Sequence, residues 1–376
     1  GPTHVVLHLV RELRRLGVDA EIVTTDDDGC GRLNVPIGQK CEYQQVPVWF
    51  LRRSRYRLKD FIYCGGFRSW FKQFGPIYDL VDIHYLFSYL SSMTARMAGG
   101  MKLPYTMRSM GQLTDWALKQ SRWRKAIYWR LVEFRHLRRA RLIHCTTEEE
   151  MRGVEKIGLQ TPMRVIPIGV KTLEKAQNSR YSLRQKYNIQ QELPILLFLS
   201  RMHRIKRPEW MVRTLSEVAR RGHACHVIMA GSGEPEVIKS LKSLASSLGI
   251  ESLITFTGHV DGIDKDLLFQ GADIYGLPSH SENFGVSIAE AMAAGLPIVV
   301  TPGVQLANMI KETHSGHVSN DSLESFTAKV IHLLSSPSDR LRLGQNAVRT
   351  ANEKFSWSDI ALRQKAVYET ILRGAE

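Results

Sequence analysis

The chain has 376 residues, 43% hydrophobic and 23% charged, with a formal net charge of +14. That length and balance fit a globular protein with two cores and exclude a disordered or low-complexity chain. No apolar run approaches the ~20 residues that span a bilayer. The five cysteines are odd in number, scattered and without a Cys-x-x-Cys, which argues against a disulfide framework or zinc site and for a reducing, cytoplasmic compartment.

In chain order, Val6, Leu9, Val10, Leu13 and Leu16 recur at helical spacing, and Gly17 ends that helix. A strand over residues 20–25 and an Asp-rich turn over 26–29 follow. Helix then strand is half of a βαβ unit, and the strand that should precede the helix is not in the sequence. Further strands are expected over 46–50, 78–84 and 101–108. A long amphipathic helix is expected over 115–141, with Trp123, Ile127, Leu131 and Phe134 on one side. Residues 165–170 close the first half, and the polar stretch 171–180 reads as a linker.

The second half alternates more regularly. Strands over 195–199, 226–230, 254–257 and 274–277 are separated by helical stretches, which predicts a doubly wound parallel sheet with ligands at the carboxyl ends of its strands. The expected organisation is an N-terminal α/β domain over 1–172, a C-terminal one over 173–354, and an amphipathic helix over 355–376.

The charge is uneven: residues 51–75 carry a net +6 and residues 101–145 a net +9, so the rest is close to neutral. A solvated helix face explains such windows. So does contact with an anionic membrane surface, which Trp116, Trp123, Tyr128 and Trp129 among the cations would suit. Nucleic acid is disfavoured, because no nucleic-acid fold accompanies the charge.

The densest chemistry lies in residues 279–301. Glu282 and Glu290 stand eight positions apart, Gly285 opens a helix between them, and Gly295 closes it before a β-branched strand. A helix starting near Gly285 offers unpaired N–H groups to a phosphate. The two carboxylates could then flank a pyrophosphate, one toward a sugar and the other toward a ribose. An ordinary capped helix with Glu on its wet face has the same spacing. After the strand 195–199, Arg201 and Lys206 stand five residues apart on a strand-end loop, able to converge on a diphosphate or simply solvated. Gly231-Ser-Gly233 follows a strand, where close backbone approach to a nucleotide and plain turn formation are equally good explanations. The one dense carboxylate cluster, Asp26–Asp28, reads as turn chemistry and not as a metal site.

The stretch Glu282-Asn-Phe-Gly-Val-Ser-Ile-Ala-Glu290, with Leu277-Pro-Ser279 before it and Ala291-Met-Ala-Ala-Gly-Leu-Pro297 after it, resembles the Glu-x7-Glu signature of retaining family 4 glycosyltransferases of the bacterial glycan-biosynthesis type. The resemblance covers nearly the whole chain and is specific mainly in residues 195–301. It implies a GT-B fold: two Rossmann-like doubly wound domains facing a central cleft, with the terminal helix crossing back to the first domain. It implies transfer of a sugar from a nucleotide-diphosphate donor to a glycan or lipid-linked acceptor, with no cofactor and no metal. Such an enzyme is expected in the cytoplasm or peripherally on the inner face of the membrane.

The family roles fall on named residues. Arg201 and Lys206 would bind the diphosphate, although Ser200 and Arg207 stand where the family loop has glycines. Glu282 would hold the donor sugar, Glu290 the ribose, and Asn283, Phe284, Gly285 and Val286 the phosphate at the helix start. Gly231 and Val260 would lie near the base and ribose. Gly1 would be the last glycine of an N-terminal loop, unless Gly1-Pro2 is a protease scar. On the acceptor side the family's His-x-His reads Asp82-Ile-His84 here, and its His-Gly reads Arg108-Ser-Met110-Gly111, leaving His84 and Arg108. Two rival readings remain: a GT-B epimerase or phosphorylase, and a non-enzymatic nucleotide-sugar- or membrane-binding protein.

Overall fold

The computed structural model of the chain describes residues 2–29, 31–55, 61–113, 128–173 and 177–374. Gly1 lies outside the described residues, as do 56–60 and 114–127 of the basic windows, including Trp116, Trp123 and Ile127. The chain divides into two compact units, Gly1–Gly169 with Trp357–Glu376, and Val170–Ser356.

In the first unit, β1 (Ile22–Thr25) runs parallel to β5 (Val46–Leu51), which also takes the antiparallel β4 (Lys40–Tyr43). A small hairpin, β2 (Asp27–Asp28) and β3 (Gly31–Arg32), lies between β1 and β4 in the chain. A second sheet holds β6 (Val81–His84), β7 (Tyr105–Arg108), β8 (Leu142–Cys145) and β9 (Met163–Val165) in that order, all parallel.

Helix Pro2–Arg15 buries two faces rather than one. Leu7 and Val10 pack on Val46, Val48 and Phe50 of β5, whereas Leu9 and Leu13 pack on Ile166, Ile360 and Ala361. The last two belong to helix Trp357–Leu372, which therefore sits in this unit. Trp357 stacks on His8 with ring centroids 5.5 Å apart. Its ring lies so close to Gly169 that a Cβ there would come within 2.3 Å, so only glycine fits.

The expectation of one continuous apolar face over 115–141 is corrected in its described part. After Tyr128 the chain makes a π-turn over Trp129–Glu133 before helix Phe134–Arg139. The wider turn rotates the side chains out of 3.6-residue phase. Phe134 packs on the core, whereas Leu131 is 68% exposed.

The second unit is one six-stranded parallel sheet: β10 (Ile195–Leu199), β11 (His226–Ala230), β12 (Ile254–Gly258), β13 (Ile274–Leu277), β14 (Ile298–Val300) and β15 (Gly316–Val318). Ile195–Phe198, Val227–Ala230 and Ile298–Val300 are fully buried. Near-continuous apolar runs are what a parallel sheet covered on both faces requires. The spatial order is β12-β11-β10-β13-β14-β15. The chain winds outward from β10 in one direction, then returns to β13 on its other side. That reversal is a topological switch point, the place on an open parallel sheet where ligands bind at the carboxyl ends of the strands.

Candidate active site

The loop leaving β10 is pinned to its neighbours. Ser200 N–H donates to Ala230 O at 3.0 Å and Met202 N–H to Ser232 O at 2.8 Å. The glycines of Gly231-Ser-Gly233 are what permit this. A Cβ on Gly231, whose φ is +132°, would lie 2.0 Å from Ser200 O, and one on Gly233 would lie 2.6 Å from Met202 Cβ. The close approach they serve in this structure is loop on loop.

The loop leaving β13 is tied to the first one. His280 N–H and Ser279 Oγ both donate to Ile205 O, at 2.7 and 3.1 Å. Glu282 is fixed from its other side, its N–H donating to Gly303 O at 3.0 Å and its carbonyl accepting from Gln305 N–H at 3.0 Å. These ties bring Lys206 and Glu282, 76 residues apart, into an ion pair between Nζ and Oε2. Their side chains are 10% and 18% exposed. Attraction between charges is stronger in such a partly desolvated position than on the open surface, and removing one partner strands the other.

Gly285 then takes a left-handed conformation, φ +72°, and helix Val286–Ala293 begins. A Cβ on Gly285 would meet Ile288 Cδ1 at 2.8 Å and Glu282 Cγ at 3.0 Å, so glycine both makes the turn and leaves room for Glu282. Phe284 is buried against Phe355, which anchors the helix start, while Asn283 and Val286 are half-buried. The first-turn amides of this helix, with its positive dipole end, border the Lys206–Glu282 pair.

Glu290 lies further along the same helix, and its Oε1 accepts from Lys265 Nζ at 2.7 Å. Lys265 comes from helix Gly262–Gly271, just after β12, and no sequence signal singled it out. Val260 is half-buried in the loop before that helix. Arg201 is exposed, and its guanidinium makes no hydrogen bond or ion pair among the described residues. Arg207, where the family loop has glycine, adopts the left-handed conformation itself, φ +49° and ψ 52°. Its side chain pairs with Asp321, bonds His280 Nδ1 at 2.9 Å and lies 4.4 Å over the Trp210 ring. The guanidinium's hydrogen bond holds the Asp321 carboxyl below its ordinary range.

In the first unit, His84 and Arg108 end adjacent strands beside a buried polar network. Asp82 accepts from Tyr368 Oη at 2.7 Å on one oxygen and from Thr106 Oγ1 at 2.7 Å on the other. His84 Nε2 lies 3.3 Å from the oxygen that Tyr368 bonds. Burial pushes the Asp82 carboxyl up, but His84, His144 and Arg108 outweigh it and hold the group well below the usual carboxylate range. Arg108 is 1% exposed and donates to Gln364 Oε1 at 2.7 Å, and Gln364 Nε2 lies 3.3 Å from His144 Nε2.

Arg108, expected on the acceptor side, is placed in the interior, where it ties β7 to helix Trp357–Leu372. The following turn, with Met110 at φ +49° and Gly111 at +80°, is held by buried Glu150, which accepts from Ser109 Oγ and Gly111 N–H at 2.6 and 2.5 Å.

The Asp-rich turn is occupied by its own chain. Asp26 is fully buried, accepting from Arg53 N–H at 2.8 Å and pairing with Arg52 at 3.2 Å. Among the described residues no group of three or more His, Cys, Asp or Glu side chains is placed to hold a metal ion. Among them also, no helix is long and apolar enough to cross a membrane.

Two Rossmann-like units are the make-up of the GT-B fold, which the solved structures similar to this chain share. Residues 179–350 match the glycosyl transferases group 1 and residues 1–169 the glycosyl transferase 4-like domain, and the chain belongs to this glycosyltransferase family.

An uncharacterized glycosyltransferase of Methanocaldococcus jannaschii is 31% identical over 50% of this chain, a match spanning 48% of that protein's length. A D-inositol 3-phosphate glycosyltransferase of Xylanimonas cellulosilytica is 25% identical over 98% of this chain and 91% of its own. Among solved structures, sucrose-phosphate synthase from Thermosynechococcus elongatus superimposes with a TM-score of 0.82, 18% identity, and coverage of 100% of this chain and 94% of the other. Anabaena HepE in complex with UDP and glucose gives 0.77, 16% identity, and 98% and 97% coverage. At these identities the structural likeness shows the fold.

Proposed function

We propose that the chain moves a sugar from a nucleoside diphosphate donor to a glycan or lipid-linked acceptor, with retention of anomeric configuration, in polysaccharide or glycoconjugate biosynthesis. The observation that carries this reading is the Lys206–Glu282 pair beside a helix start at the β10/β13 switch point. Breaking a sugar–phosphate bond leaves charge on the diphosphate. Arg201, Lys206 and the helix start at Phe284–Val286 would stabilise that charge where it develops. Because these cations and amides belong to the chain, the reading needs no metal.

Arrival of the donor would divide Lys206 between Glu282 and the diphosphate. Glu282 would then turn its other oxygen to the sugar hydroxyls, with Glu290 serving the ribose and His84 the acceptor side. The HepE complex makes a UDP-sugar the first donor to test. A cytoplasmic, peripheral position at an anionic membrane face is supported by Arg130, Arg135, Arg138, Arg139 and Arg141, all exposed, as Leu131 is.

The test is transfer from UDP-, GDP- and ADP-sugars to a panel of glycan and lipid-linked acceptors, with the anomeric configuration of the product read by proton coupling. Glu282→Ala, Glu290→Ala, Arg201→Ala and Lys206→Ala should each lower transfer by roughly one to two powers of ten, the equivalent of one charge-assisted hydrogen bond. Wild-type rates in all four variants, or an inverted product, would contradict the reading.

A further inference from the structure

We propose that Lys265 is a second ribose-binding group of the donor site, and that Lys265 with Glu290 selects ribonucleotides over deoxyribonucleotides. The proposal rests on the reading of Glu290 as the ribose carboxylate. Lys265 Nζ donates to Glu290 Oε1 at 2.7 Å, with the two side chains 30% and 21% exposed. The pair is partly shielded from water and partly open to it. Its neighbours in sequence are otherwise engaged, Asp264 with Lys186 at 2.5 Å and Asp266 with Lys171 at 3.1 Å. Lys265 is thus the one charge of that helix turn directed at Glu290.

A carboxylate only accepts hydrogen bonds and an ammonium only donates them, whereas each ribose hydroxyl does both. Glu290 alone would take the protons of a vicinal diol and leave its oxygens without donors. With Lys265 alongside, Glu290 Oε2 and the remaining Nζ–H groups present an acceptor and donors side by side, so both functions of the diol are met. A sugar lacking one hydroxyl leaves part of this pair desolvated and unmatched, which is how a polar site rejects an analogue. The helix that carries Lys265 follows β12, whose last residue is tied to Gly231 by the 2.8 Å bond from Gly231 N–H to Gly258 O.

The test is calorimetric titration of the full chain with UDP, GDP and ADP and with their 2′-deoxy and 3′-deoxy counterparts. Wild type should bind one ribonucleotide at least about tenfold more tightly than a deoxy form, the worth of one good hydrogen bond. Lys265→Met should shrink that ratio to within about threefold, and Lys265→Arg, which keeps the charge, should restore most of it. Lys206→Met should weaken ribo and deoxy forms alike and leave the ratio unchanged. Melting curves of each variant show whether it is folded.

An unchanged ratio in Lys265→Met overturns the proposal and leaves the donor site standing. A wild type indifferent to both hydroxyls overturns the ribose role of Glu290 and the proposal together. A wild type that binds no nucleoside diphosphate removes the functional reading beneath them.

Discussion

Arg207 holds a backbone conformation that costs a residue with a Cβ about 1–2 kcal/mol. Its contacts with Asp321, His280 and Trp210 offset that cost, each the size of an exposed ion pair or cation–π contact, roughly 0.5–1 kcal/mol. Arg207→Gly removes strain and contacts together and should leave stability within about 0.5 kcal/mol. Arg207→Ala keeps the strain, loses the contacts and should cost ~1–2 kcal/mol. Urea denaturation of both variants checks this, and equal destabilisation would contradict it. At this scale the sequence was informative where residues lie close along the chain. Glu282, Gly285 and Glu290 share one motif, and Lys206 follows one strand. Lys265 was not legible, because its meaning comes from a helix 25 residues away that brings it to Glu290.

Helix Trp357–Leu372 is an element whose amphipathic pattern announced packing and hid chemistry. Its Gln364 and Tyr368 reach Arg108 and Asp82 across 256 and 286 residues, a distance over which no sequence pattern operates. Tyr368→Phe removes a hydroxyl that donates to a buried, ionised carboxylate, and should lower stability by ~1–3 kcal/mol, the cost of leaving such a group short of a partner. A neutral result would mean that Asp82 is satisfied without Tyr368. The strand positions were easier to read, since β10, β11, β13 and β14 are short apolar runs bounded by turn residues. The helix after Tyr128 was harder, because a π-turn changes the period on which face assignment depends.

For the whole molecule, the parallel alternation of the second half was legible, but the strand order that creates its switch point was not, because pairing is a long-range property. Stability against pH follows from buried groups in both units. Burial pushes His144 down to about 3 and His226 down to about 4. Unfolded histidines near pKa ~6.5 bind a proton that the folded ones refuse, so stability should fall as pH drops from about 6.5 toward 4, by up to ~1.4 kcal/mol per unit for each histidine. Asp82, held low, contributes stability that is present above the unfolded carboxylate range and lost in stronger acid, as pH falls through its folded value. Glu133, raised by burial, opposes the histidines with one group's slope. Urea midpoints at pH 5 and 7 should therefore differ, the lower at pH 5, and His226→Gln should narrow the gap. A midpoint independent of pH would contradict these assignments.

The proposed transfer requires first that the β10/β13 switch point bind a nucleoside diphosphate through Lys206. Thermal-shift screening of wild type and Lys206→Met against UDP, GDP, ADP and dTDP tests it directly. At a hundred times its dissociation constant a ligand stabilises by ~2.7 kcal/mol. One nucleotide should raise the melting temperature of wild type by several degrees and that of Lys206→Met by far less. No shift with any of the four, or an equal shift in the variant, would contradict the assignment.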